Sequence, residues 1–150
     1  MDRQAIIETA LNQLDGSGSD AEWAAVELLR RHAGDRLPGL LLTQYRAASK
    51  AGRRASCVYH ATRYARTNAE AVQLGKEALF DRAHGPRYRA CLLLAYSLDR
   101  TALPGLRKAL EMGSASSRDD FRAAIDAVEN GNHHYFVDRE HSGMVTLNIR

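Results

Sequence analysis

The densest group of reactive side chains in this sequence is His133, His134, Asp138, Glu140 and His141, nitrogen and oxygen donors of the kind that bind first-row metals. A metal needs such groups to converge on one point. In an extended segment His133 and His134 point to opposite faces, and the other three fall in or beside a turn. The pattern therefore predicts turn chemistry and no metal site: Asp138 and Ser142 bond the backbone of their own turn, and Gly143 supplies the unusual dihedral. A second oxygen-rich run, Asp15-Gly16-Ser17-Gly18-Ser19-Asp20, lacks the glycine and the glutamate that a calcium loop places at its sixth and twelfth positions, and reads as a linker ending in a helix cap. Gly16 and Gly18 follow a helical pattern rather than a strand, so they make no dinucleotide fingerprint. No Ser-His-Asp set, phosphate loop or His-Glu-x-x-His motif occurs in the sequence. Neither a catalytic set nor a cofactor is expected.

Charge is the stronger signal. The formal net charge is only +3, but no acidic residue occurs from Arg36 to Ala69, where Arg36, Arg46, Lys50, Arg53, Arg54, Arg63 and Arg66 supply seven cations. Residues 1–35 hold seven acids against three arginines. A basic centre beside an acidic end would attract an acidic protein face or a polyanion. Arginine outnumbers lysine, which favours forked pairing with carboxylate or phosphate. Arg46, Lys50, Arg53 and Arg54 straddle one turn between helices, so they are expected to cluster. With Arg63, Arg66 and the aromatic anchor Tyr59 they form the predicted partner-binding set. Tyr45 and Tyr64 are read as further anchors or as half-buried packing residues.

The elements that must position these residues are helical. Ile6, Ile7, Ala10, Leu11 and Leu14 recur at spacings of three and four and predict a first helix over about 3–14. Ser19 or Asp20 caps a second helix carrying Trp23, Val26 and Leu29 as a packing stripe and closing at Gly34. A third, capped by Asp35 with Pro38 early in it, ends at Ala51-Gly52, and a fourth covers about 53–65. Thr67 or Asn68 caps the fifth, and 81–86 connects it to a strongly apolar sixth helix from Arg87, expected to be the most buried. Asp99 caps the seventh, Gly113 stops it, and an eighth runs from Ser116 or Ser117 to the Asn130-Gly131-Asn132 break. His134–Val137 and Met144–Ile149 are β-type runs, so a short hairpin over about 133–149 is expected to cap the last helices.

With 45% hydrophobic and 26% charged residues and only three prolines, the composition is neither disordered nor fibrous. A single domain over 1–150 is expected. Cys57 and Cys91 lie in different helices and read as buried thiols of a reducing compartment. No signal-like apolar run follows the first charges, and no stretch suggests a membrane span. A cytoplasmic protein without membrane contact is the resulting expectation.

The segment Leu-Pro-Gly-Leu occurs at 37–40 and again at 103–106. The separation is two lengths of about 33 residues, one helix pair each, and stacking is how such short helices share a core. The pattern resembles the HEAT/armadillo-like repeats, which typically have a proline early in the second helix of a pair and an arginine near the start of the first. Pro38 and Pro104, and Arg54 and Arg89, take those places. The likeness covers about residues 20–112, although the middle copy lacks the proline. It implies an all-α superhelix of about eight helices, topped here by the expected hairpin. Scaffolds of this superfamily serve several functions, but a compact chain with a capping hairpin and no catalytic set looks like the immunity or antitoxin proteins that block bacterial toxins, so the expected role is non-catalytic binding of another protein, a toxin or a subunit of an enzyme complex. The alternative is nucleic-acid binding or repair of the kind seen in the DNA glycosylases of this superfamily, which need a buried acid in a basic aromatic groove. Asp81, Asp99 and Asp119 are the available acids, and each stands where a helix terminus would use it.

Overall fold

The structure, a computed structural model, describes residues 2–150, and among these it contains eight α-helices and no β-strand. They are α1 (Arg3–Asn12), α2 (Asp20–Ala33), α3 (Leu37–Ala47), α4 (Ala51–Ala61), α5 (Ala69–Ala78), α6 (His84–Ser97), α7 (Leu103–Met112) and α8 (Arg118–Glu129). The side chains of Asp2, Ser19 and Asn68 accept backbone N–H bonds at the starts of α1, α2 and α5, satisfying donors that a helix terminus leaves open. Both Leu-Pro-Gly-Leu segments open a helix, α3 and α7, directly after a 3₁₀ turn (Gly34–Arg36 and Arg100–Ala102). Proline fits there because the first helical turn needs no N–H from it. None of the eight helices is long and apolar enough to cross a membrane.

Neighbours in sequence pack as pairs, α1 with α2, α3 with α4, α5 with α6 and α7 with α8, while α4, α6 and α8 touch in a row and α3 meets α5. The result is a solenoid-like stack. The proline helices come first in their pairs and the arginine helices second, the reverse of the expected order. The sixth helix is buried nearly all round: Ala90, Cys91, Leu93, Leu94 and Ala95 are sealed from solvent, because α6 is flanked by α4, α5 and α8.

Arginines stitch the stack along the turns inside the last three pairs. Arg54 sends Nη1 to the carbonyl of Ser49 in its own turn (2.6 Å), and Nε and Nη2 to the Asp81 carboxylate in the next (2.9 and 3.1 Å). Arg87, 33 residues later in sequence, repeats this with the Asp81 carbonyl (2.9 Å) and the hydroxyls of Ser117 (2.8 Å) and Ser116 (3.1 Å). The repeated position is thus Arg87 rather than Arg89. Tyr45 also donates to Asp81 (2.7 Å), and burial with this neighbouring carboxylate raises the phenol's pKa far above its usual range.

The expected hairpin is absent. Residues His133–Phe136 form a 3₁₀ turn begun by the Asn132 side chain, and this turn packs on α8, driving Phe136 into the core. The Asp138 carboxylate then gathers Ser142 N, Ser142 Oγ and Gly143 N at 2.7–2.9 Å. These bonds make a side-chain-built turn with Gly143 at φ +78°, rather than the tight turn that pairs two strands. The backbone N–H of Leu147 donates to the His134 ring (2.9 Å), where a strand partner would have offered a carbonyl. Beyond it, Leu147 and Ile149 face the core and Asn148 faces out, so the run keeps its alternation without a ladder.

Candidate functional site

A cleft of about 460 Å³ opens on the face made by the second helices of the first three pairs, lined by Trp23 of α2, Ser56, Tyr59 and His60 of α4, and His84, Tyr88 and Arg89 of α6. A smaller cavity of about 200 Å³ shares Tyr59, His60 and Arg89 with it and is closed on its far side by the extended segment Leu147–Arg150. Three side chains from two neighbouring helices, α2 and α4, meet edge to face in the wall of the larger cleft: Trp23 with His60 (5.0 Å between centroids), Trp23 with Tyr59 (6.1 Å) and Tyr59 with His60 (4.9 Å). Arginines lie over the rings. Arg89 sits 4.6 Å from the Tyr59 centroid and 5.4 Å from that of Tyr88, and Arg150 lies 3.8 Å above Trp23.

The floor is anchored by Glu22, which is 2% exposed. Ser19 and Glu22 have capping-box spacing, and Ser19 Oγ accepts the Glu22 N–H. The Glu22 carboxylate reaches past the cap to Gly16 N (2.8 Å) and Gly18 N (2.7 Å), and accepts Ser56 Oγ (2.6 Å) from α4. The glycine-rich run is therefore a bracket for a buried carboxylate. Gly16, at φ +84°, lies so close to the Gly52 carbonyl at the start of α4 that a Cβ would collide with it.

His60 Nε2 stands 3.9 Å from the same carboxylate. Burial holds the imidazole neutral, pushing its pKa down to about 4; Glu22 opposes the shift, and Arg30, Arg89 and Arg150 reinforce it. Ser56 donates to Glu22 rather than to His60, so the three form no nucleophile–base relay, which requires the hydroxyl proton to face the imidazole. The arrangement presents flat aromatic walls, a neutral imidazole, and guanidinium groups at the rim.

Of the predicted contact residues, the structure brings Tyr59 and Arg63 to this face. Arg46 instead forms a fork with Glu77 of α5 (3.0 and 2.6 Å). Lys50 is exposed ahead of α4, Arg53 donates to the Asn12 carbonyl, and Arg54 is buried against Asp81. Arg66 lies over Tyr96 and bonds its carbonyl (2.8 Å) and the His133 ring (2.8 Å). Tyr45 is buried on Asp81, and Tyr64 is half-buried beneath Arg63. Among the candidate acids, Asp81 is committed to the stitch, Asp99 caps the turn before α7, and Asp119 pairs with Arg122 in solvent. The tail's polar set disperses: His141 bonds Asp126 (2.5 Å), His133 meets Arg66, and no three metal-binding side chains gather among the described residues. Glu22, Arg30, Ser56, His60, His84 and Tyr88 carry no functional motif in the sequence, where Trp23 and Arg89 have structural places in the helix pattern. The Ser19-x-x-Glu22 spacing is the one local signal that marks any of them.

No protein-family model matches the chain, and no curated protein matches it.

Proposed function

We propose that this chain is a non-catalytic protein-binding module, built as an irregular HEAT-like stack, that uses the cleft between α2, α4 and α6 to cover a cognate partner as an immunity or antitoxin protein does. The observation that carries this reading is the lining of that cleft. Trp23, Tyr59, Tyr88 and Arg89 are the residue types that dominate binding energy when buried at protein interfaces, and they converge from three repeats on one opening. Stiff aromatic side chains held edge to face lose little conformational freedom when a partner arrives. The bonding of Ser56 to Glu22 gives the site no activated nucleophile, in keeping with a binding role.

The test is photo-crosslinking in the native cell. A benzoyl-phenylalanine at position 88 is expected to trap a discrete protein, whereas one at Thr43 on α3, away from the cleft, is not. The trapped protein, once purified, should bind the parent chain and bind Tyr59→Ala at least about tenfold more weakly. Adducts with nucleic acid from position 88, or equal trapping from both positions, would refute the reading.

A further inference from the structure

Among the described residues, two buried side-chain nitrogens have no hydrogen-bond partner, Arg30 Nε and His60 Nδ1. Such orphans are rare in folded proteins and call for an explanation. Here both belong to residues lining the cavity beside the main cleft. The two differ in kind. Arg30 Nε is a donor. The Nε2 edge of His60 faces the Glu22 carboxylate, which favours the proton on that nitrogen and leaves Nδ1 as an acceptor. Around them, Arg89 makes no side-chain hydrogen bond or ion pair with any described residue and lies over Tyr59 and Tyr88, while Arg150 lies over Trp23. The nearest acids are already engaged: Glu22 by two backbone N–H groups and a hydroxyl, and Glu27 by Arg30 Nη1.

We propose that this junction is a subsite for an acidic, extended peptide segment of the partner, with a carboxylate held by Arg89 and Arg30 and a backbone N–H offered to His60. The proposal deepens the protein-binding reading and rests on it. The charge is complementary, since Arg89 has no carboxylate partner among the described residues and Arg30, although it gives Nη1 to Glu27 and Nη2 to the Arg150 carbonyl, keeps Nε unmatched. The acceptor on His60 favours a peptide over a DNA backbone, because a deoxyribose–phosphate backbone carries no donor whereas every non-proline residue of a peptide does. Both orphan atoms are out of solvent contact in the free chain, so the segment Leu147–Arg150 shifts to admit the ligand. Two hydrogen bonds restrain that segment here, Leu147 N on His134 and the Arg150 carbonyl on Arg30 Nη2 (3.0 Å), beside the packing of Leu147 and Ile149 on the core and of Arg150 on Trp23.

The probe is an acetylated, amidated hexaglutamate followed by the emission of Trp23, the one tryptophan in the sequence and the ring under Arg150. Saturable binding is expected, weakening from 50 to 200 mM salt. Arg89→Gln should weaken it about tenfold or more, Arg89→Lys by less, and Arg46→Gln, at a pair outside the cleft, not at all. Circular dichroism verifies that each variant is folded. The proposal is overturned by equal binding of hexaglutamine, by no saturation up to about 1 mM peptide, by an unchanged Arg89→Gln, or by tighter arginine-dependent binding of oligo-dT or inorganic phosphate. If position 88 traps a protein whose affinity ignores Arg89→Gln, the subsite fails and the protein-binding reading stands. If hexaglutamate binds as expected but position 88 traps no protein, the reading fails and an acid-binding site remains.

Discussion

Replacing His60 with phenylalanine should make the protein's stability less dependent on pH without weakening it at pH 7.5. Burial depresses the imidazole from its ordinary 6.5 to about 4. Above pH 6.5 the ring is neutral in both folded and unfolded chains and introduces no pH dependence. As pH falls from 6.5 towards 4, the unfolded chain takes up a proton that the folded chain refuses, so stability is lost across that window and the loss levels off below it. The full gap corresponds to roughly 3 kcal/mol, of which about 2 kcal/mol is lost by pH 5. Phenylalanine keeps an aromatic ring against Trp23 and Tyr59 and removes the unpartnered Nδ1, so the variant should be at least as stable as the parent at pH 7.5. Urea unfolding of both proteins at pH 7.5, 6 and 5 isolates the effect, because every other titrating group, including His133 with its own burial-lowered pKa, is common to the pair. Curves that run parallel would show that His60 takes up its proton normally, and the description of the cleft as holding a neutral imidazole would fall.

Three further outcomes follow from the contacts. Asp81→Ala leaves Arg54 buried without its partner and should destabilise the fold by about 3–5 kcal/mol in denaturant titrations at neutral pH. The penalty should shrink only in strong acid: burial raises the Asp81 pKa, but bonds from Arg54, Ala83 and Tyr45 outweigh that and hold it below 3.8, so the parent keeps the pair until pH falls through that lowered value. Gly16→Ala puts a side chain at φ +84° and into the Gly52 carbonyl, which should lower stability by about 1–3 kcal/mol and shift the emission of Trp23 as the Glu22 bracket moves; an unchanged melting curve would refute this. Cys57 and Cys91 are sealed, and burial pushes the Cys57 thiol up to about 12, so a thiol reagent at pH 8 should label the native chain at least about a hundredfold more slowly than the urea-unfolded one. Comparable rates would place at least one sulfur at the surface.

The helices were legible because their signals are local. Ser19, Asn68 and Asp99 each bond the N–H groups just ahead of them, Gly34 and Gly113 end α2 and α7, and the two Leu-Pro-Gly-Leu segments occupy equivalent helix starts. The hairpin expectation failed because β propensity in Tyr135, Phe136 and Val137 reports side-chain burial as much as strand pairing, and α8 supplied that burial first. The cleft was illegible for a different reason. Trp23, Tyr59 and Tyr88 are about one repeat apart in sequence and meet only through stacking, and a tryptophan on an amphipathic stripe gives no sign of whether it fills a core or walls an opening.

The seven-cation run from Arg36 to Ala69 illustrates why a count of charge along the chain misplaces a contact surface. Consecutive residues on a helix point about 100° apart, so Arg53 and Arg54 part at once, one to the Asn12 carbonyl and the other into the stitch with Asp81. Arginine's fork is what makes such buried service possible, since it can hold a carboxylate and a carbonyl together. An arginine is available to a partner only where the fold leaves its donors unmatched, and Arg89, two positions beyond the stitching Arg87, meets that condition. Exchanging their roles tests the distinction directly: Arg87→Gln should lower stability with little effect on acidic-peptide affinity in the fraction that remains folded, whereas Arg89→Gln should lower affinity and leave the melting temperature within a few degrees of the parent. If both substitutions act alike on stability, the division between structural and binding arginines collapses.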